Sequence, residues 1–154
     1  MKKNERIGDY ISGLVDPEDR SGQNWPAAYR GYFVCFNRSE YYEAHDVLEH
    51  LWLQETGDSA GFYKGLIQVA GAFVHLRKQY LRPHHHKDGR RLPPAFRLFK
   101  LGMQNLSPFG RLYLGLDLAK LEQICGQYMA ILEDSKFTLN PWRPENAPQL
   151  QLKS

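Results

Sequence analysis

Apolar residues recur along this chain at helical rather than strand spacing. Tyr29, Tyr32, Phe33 and Phe36 stand three and four apart, so AAYRGYFVCFN reads as a helix, with Pro26 in its first turn, where a missing N–H is harmless. NRSE breaks that stripe, and Ser39 is the expected N-cap of a helix over about 40–54. After the turn ETGDSAG comes a helix over about 61–81 that is apolar nearly all round, as the centre of a bundle requires. RPHHHKDGRRLPP, punctuated by Pro83, Gly89, Pro93 and Pro94, reads as a flexible loop. Further helices are expected over about 94–105 and 117–133. The second is capped near Asp117 and carries Leu118, Leu121, Ile124, Cys125, Tyr128 and Leu132 at helical spacing, and SPFGRLYLG connects the two.

The flanks differ. Residues 1–24 read as a polar extension with one short helical turn near 8–14, and residues 134–154 as a Pro-rich extended arm pinned by Phe137 and Trp142. No segment alternates with period two. The expectation is an all-α fold: a single compact bundle of about five helices over residues 25–133.

Composition narrows the class. At 154 residues the chain has the size of one domain, and its 42% hydrophobic and 24% charged content is that of a globular protein. No apolar run approaches the ~20 residues of a membrane span. The N-terminus lacks the apolar segment and small-residue cleavage site of a signal peptide, so a cytoplasmic location without membrane association is expected. Cys35 and Cys125 lie in helical apolar patterns and are expected to be buried free thiols. The net charge of +3 hides an asymmetry. Eight Lys and Arg face the lone Asp88 between Leu76 and Lys100, leaving +7 there and −4 elsewhere. A patch of this kind suits an anion or acidic partner, or a solvated loop that maintains solubility, and solvation is the reading preferred.

FNRSEYYEAHDVLEHLW followed by FYKGLIQVAGAFVHLRK resembles the domain-of-unknown-function family 309. That family has an F-N turn, an E-x-H-[ED]-x-L-E-x-x-W helix and a G-L-I-Q-x-A helix. The matching residues here are Phe36, Asn37, Glu43, His45, Asp46, Leu48, Glu49 and Trp52, then Gly65, Leu66, Ile67, Gln68 and Ala70. LGLDLAKL, residues 114–121, resembles the family's C-terminal helix start. The resemblance implies a compact all-α fold with TPR-like helix pairs. It implies no activity, and it does not extend to the long basic loop, the N-terminal extension or the Pro-rich arm.

Two helices carry polar residues on faces that should be buried. With His45 at zero and about 100° per residue, Glu49 lies at about +40°, Trp52 at about −20° and Leu48 at about −60°. With Gln68 at zero, His75 lies at about −20°, Gln79 at about +20°, Ala72 at about +40° and Gly71 at about −60°. If these helices pack as an antiparallel pair, His45, Glu49, Gln68 and His75, flanked by Trp52, converge in one polar seam. Unpaired, such groups cost about 1–3 kcal/mol each when neutral and more when charged, so each needs a partner. The preferred reading is a satisfied structural network. The competing readings are a ligand pocket, an acid–base site with Glu49 orienting His45, or a metal site of His45, Glu49 and His75. None has a recognised signature, such as H-E-x-x-H or a nucleophile context.

Arg82, Lys87, Arg90 and Arg91 are candidate anion ligands, and His84–His86 a run better suited to adventitious than to physiological metal. No phosphate-binding glycine fingerprint and no RNA-binding signature occurs, so no cofactor and no nucleic-acid partner is expected. Gly61, Gly65 and Gly71 read as helix-packing glycines. The function expected is a binding or protein-interaction module for a protein or peptide partner, with homo-oligomers allowed. The alternative is a metal-binding protein or hydrolase-type enzyme centred on His45 and Glu49.

Overall fold

The structure, a computed structural model, describes residues 3–14 and 25–153. Six α-helices lie among them: α1 (Lys3–Leu14), α2 (Ala27–Asn37), α3 (Tyr41–Trp52), α4 (Ala60–Leu81), α5 (Leu92–Leu106) and α6 (Leu118–Asp134). A hairpin of two two-residue strands, β1 (Leu112–Tyr113) and β2 (Leu116–Asp117), precedes α6. The fold is all-α, as the spacing predicts. Among the described residues no helix is long and apolar enough to cross a membrane.

The apolar α4 is the axis of the bundle, packed against both α3 and α5. Ten of its residues are buried, from Phe62 to Leu76. Glycine permits the tightest crossing. A Cβ on Gly65 would lie 2.7 Å from Leu106 Cγ and 3.1 Å from the carbonyl of Gly102, so the backbones of α4 and α5 touch here. The core is strongly aromatic. Phe36, Tyr41, Phe73, Phe99 and Tyr128 join five helices, α2 to α6, and the ring centroids are 5.1–5.9 Å apart in edge-on or stacked pairs. Tyr32 is fully buried and donates its hydroxyl to the Leu66 carbonyl at 2.7 Å, tying α2 to α4. Both cysteines are free and buried, as expected.

Three local features depart from the sequence reading. First, α1 extends from Lys3 to Leu14 rather than over a single turn. Ile11 is buried with Ala28 of α2 and Val47 of α3, and Ile7, Leu14 and Leu51 close round them. Second, Ser39 does not cap α3. It holds φ 60° and terminates α2, where the Ser39 N–H reaches the Phe36 carbonyl and the Glu40 N–H the Cys35 carbonyl. That is a Schellman stop with serine in the glycine position. Third, the 107–115 connector holds the first strand and the turn of the hairpin. Leu114 and Gly115 turn it with φ 44° and 75°, the signs of a type I′ turn. Asp117 caps α6 as expected, accepting the Lys120 N–H at 3.0 Å.

Candidate functional site

The proposed seam is divided between two places. The buried face of α3 is Tyr41, Ala44, Val47 and Leu48, centred on Ala44, about 100° from His45. Packing of α1 against Val47 turns that face away from the expected one. His45 and Glu49 therefore sit on the rim, 32% and 34% exposed, with Trp52 partly buried beside the core. His45 Nε2 lies 3.8 Å from Glu49, and Nδ1 lies 3.3 Å from Asp46.

The seam on α4 forms, but it faces α5 rather than α3. Gln68 accepts from Asn105 of α5 at 2.6 Å, and Gly71 adjoins Leu98 of α5. Gln79 accepts the Arg91 N–H at 2.7 Å. His75 Nδ1 lies 3.1 Å from Arg91 Nη1. A guanidinium only donates, so His75 accepts at Nδ1 and carries its proton on Nε2. Burial first, then Arg91, Lys78 and Arg97, lowers its pKa to about 4 and keeps it neutral. Among the described residues no group of three His, Cys, Asp or Glu side chains is arranged to hold a metal ion, so His45, Glu49 and His75 make no such set.

The basic loop is folded round its single carboxylate. Asp88 is 8% exposed and starts a 3₁₀ turn over Asp88–Arg90. Arg91 grips its Oδ1 through Nε at 2.8 Å and Nη2 at 2.5 Å, and Arg82 reaches Oδ2 at 3.1 Å. The Arg91 bonds hold the Asp88 carboxyl below the usual range, aided by the charges of Arg91 and Arg82. His85 accepts the Lys87 and Asp88 N–H groups at Nδ1, while His84 and His86 are exposed. Gly89 approaches Pro83 so closely that a Cβ would lie 2.3 Å from the Pro83 carbonyl oxygen. Of the four cations expected at an anion site, Arg82 and Arg91 are engaged with Asp88, whereas Lys87 and Arg90 are not ion-paired among the described residues.

The arrangement with the most built chemistry is one the polar seam did not anticipate. Residues 138–153 run back across the helices with little regular structure beyond a 3₁₀ turn at Pro144–Asn146. Asn140 Nδ2 donates to the Leu76 carbonyl at 2.8 Å, and its Oδ1 accepts the Trp142 N–H at 3.0 Å. The Trp142 ring, 2% exposed, fills a slot edge-on to Tyr41 and Tyr80, and its Nε1 donates to the Tyr41 hydroxyl at 2.9 Å. The Asn37 amide pairs with both backbone groups of Leu150, each at 2.7 Å, and Gln149 Nε2 donates to the Asn37 carbonyl. Leu150 is buried, and the Lys153 N–H ends the path on the Gly115 carbonyl at 2.7 Å. Phe137 packs on Phe96 but stays partly exposed, so Trp142 rather than Phe137 is the anchor. Between arm and α6 lies a pocket of about 460 Å³, lined by residues including Ile124, Tyr128, Pro141 and Pro148. The arm is therefore held at separate anchors rather than packed along its whole length.

Asn37 and Tyr41 come from the turn that Ser39 makes possible. That turn stops α2 with Asn37 in its last position and starts α3 on Tyr41. The sequence motif includes Asn37 without revealing its role, although a Trp among prolines is a usable signal for a docked arm. No curated protein and no solved structure matches the chain. Residues 29–86, which hold most of α2, all of α3 and α4, and only the start of the basic loop, match the family described as a domain of unknown function (DUF309).

Proposed function

We propose that this chain is a protein-interaction module whose α2–α4 surface binds an extended peptide. The observation that carries the reading is the grip on residues 138–153. Asn37 pairs with a peptide backbone through its amide, which recognises an extended strand whatever its side chains. The Tyr41–Tyr80 slot takes one aromatic ring and satisfies its N–H, which supplies specificity. A backbone clamp joined to one aromatic pocket is a general solution to peptide recognition. The chain's own arm supplies that segment in cis, and a partner would present an extended stretch with one tryptophan flanked by prolines. TPR-like pairing of α2 with α3 and of α4 with α5 belongs to this proposal, because stacked helix pairs create such surfaces.

The test uses the full chain carrying Trp142→Ala, which empties the slot. A fluorescent peptide of residues 138–153 is titrated into it and followed by anisotropy. Saturable binding, lost when the peptide itself carries Trp142→Ala, is expected. Equal binding of both peptides, or none to a variant whose helical circular dichroism is intact, would refute the reading.

A further inference from the structure

We infer that the groove of one copy accepts the arm of a second copy of this chain, with Lys136 and Phe137 as the exchange hinge. The inference rests on the groove reading above and adds a defined partner to it. Helix α6 stops at a Schellman motif, with the Lys136 N–H on the Glu133 carbonyl and the Phe137 N–H on the Leu132 carbonyl. Glycine normally occupies the left-handed position of that motif. Here Lys136 holds φ 56° and Phe137, next in line, φ 62°. Two successive side-chain-bearing residues are thus strained at the point where the arm turns back on its own groove. In an open chain both relax to extended backbone, and the same arm contacts form with another copy.

The contacts favour exchange. The arm beyond the hinge is anchored by discrete peptide-type contacts, among them Asn140 on Leu76, Trp142 on Tyr41 and Tyr80, Leu150 on Asn37, and Lys153 on Gly115. None requires the arm to come from the same chain. Against exchange stands the local concentration of a tethered arm, on the order of 1 mM. A left-handed non-glycine residue shifts an equilibrium roughly tenfold. Counting Lys136 alone, its release in each of two copies lowers the dimer dissociation constant about a hundredfold, to ~10 µM, and release of Phe137 lowers it further.

Equal amounts of ¹⁴N- and ¹⁵N-labelled full chain are mixed at ~100 µM, above that constant, and equilibrated. Lys153 Nζ lies 4.0 Å from Asp117 Oδ2, so a zero-length carbodiimide couples the arm to the body that holds it. Monomer and dimer are then separated and the cross-linked peptides weighed. About half of the dimer's Lys153–Asp117 cross-links are expected to be mixed-isotope, as random pairing requires, and those of the monomer none. Lys136→Gly, which relieves the closed hinge, is expected to weaken the dimer about tenfold or more while leaving the monomer's cross-link intact. A protein monomeric up to ~1 mM, the concentration of the tethered arm, would overturn the inference. So would dimers with only same-isotope cross-links, or dimerisation indifferent to Lys136→Gly. If those results accompany binding of the free peptide to the Trp142→Ala chain, the groove reading stands and only exchange falls. If the peptide also fails to bind, both fall.

Discussion

Replacing Trp142 isolates what the arm contributes to the folded state. An indole buries about 200 Å² when it leaves water, worth roughly 5 kcal/mol at ~25 cal/mol per Å² as an upper bound. Measured Trp→Ala changes in cores fall at about 3–5 kcal/mol. Trp142 is 2% exposed and bonded through Nε1, but it sits on an arm that can withdraw and rehydrate the vacated slot. Trp142→Ala is therefore expected to cost about 3 kcal/mol, the low end of that range. Trp142→Phe keeps a ring between Tyr41 and Tyr80 and gives up the hydrogen bond. The Tyr41 hydroxyl still donates to Ser39 Oγ at 3.4 Å, so a loss of only about 1–2 kcal/mol is expected. Urea unfolding followed by far-ultraviolet circular dichroism reads both values, with similar slopes for all three proteins. Losses below about 0.5 kcal/mol for both variants, the level of ordinary surface substitutions, would refute the reasoning, because the arm would then lie off the helices in solution.

Other consequences follow from particular contacts. Gly65→Ala is expected to destabilise by about 1–2 kcal/mol, since its Cβ overlaps Leu106 and overpacking outweighs alanine's better helix propensity. Gly126→Ala in α6, with nothing within 4 Å, should stabilise by about 0.5–1 kcal/mol, and chemical denaturation of the pair reads the contrast. Lys136→Gly is expected to raise stability by about 0.5–1 kcal/mol in the same assay, because it removes a left-handed side chain at the cost of unfolded-state entropy. The pH profile has two windows. His75 has a folded pKa of about 4, below its ordinary 6.5, so the unfolded chain binds a proton that the native one does not. Its contribution is complete above about pH 6.5 and declines as the pH falls toward 4. The Asp88 carboxyl is also depressed, so its contribution holds above the ordinary carboxylate range and disappears as the pH falls through its lowered value. Unfolding midpoints at pH 7 and pH 5 should differ for the native chain and differ less for His75→Gln.

The helices were legible because long periodic stripes survive any packing arrangement. The spans read for α2 through α6 agree with the structure to within two residues. Asp117 as a cap and Gly65 as a packing residue followed from local chemistry alone. The misses share a different cause. Ser39 carries the N-cap composition, but the same short turn also had to stop α2, and the left-handed stop took precedence. The hairpin strands have two residues each, too few to display alternation. On α3 the wheel was sound but the buried arc was misplaced, since only the third dimension reveals that α1 covers Val47. Gln68 and Gly71 of α4 adjoin Asn105 and Leu98 of α5 rather than α3. A helix buried all round has several candidate partners, and the Gly65–Gly102 contact selects α5 for that face. The loop reads as solvated by charge count. Yet one carboxylate among eight cations is the natural centre of a network, and Asp88 became that centre. The arm's path was least legible, because its anchors at Asn37 and Tyr41 lie roughly 100 positions away in sequence.

The central claim is that the turn from Asn37 to Tyr41, with the nearby face of α4, grips an extended segment. Amide chemical-shift mapping of ¹⁵N-labelled Trp142→Ala chain, titrated with the unlabelled peptide of residues 138–153, tests it most directly. The account predicts shifts concentrated at Asn37, Tyr41, Leu76, Tyr80 and Gly115, with Gln68, Arg90 and Asn105 unmoved. Shifts clustered on α5 or the basic loop, or spread without focus over the domain, would contradict it.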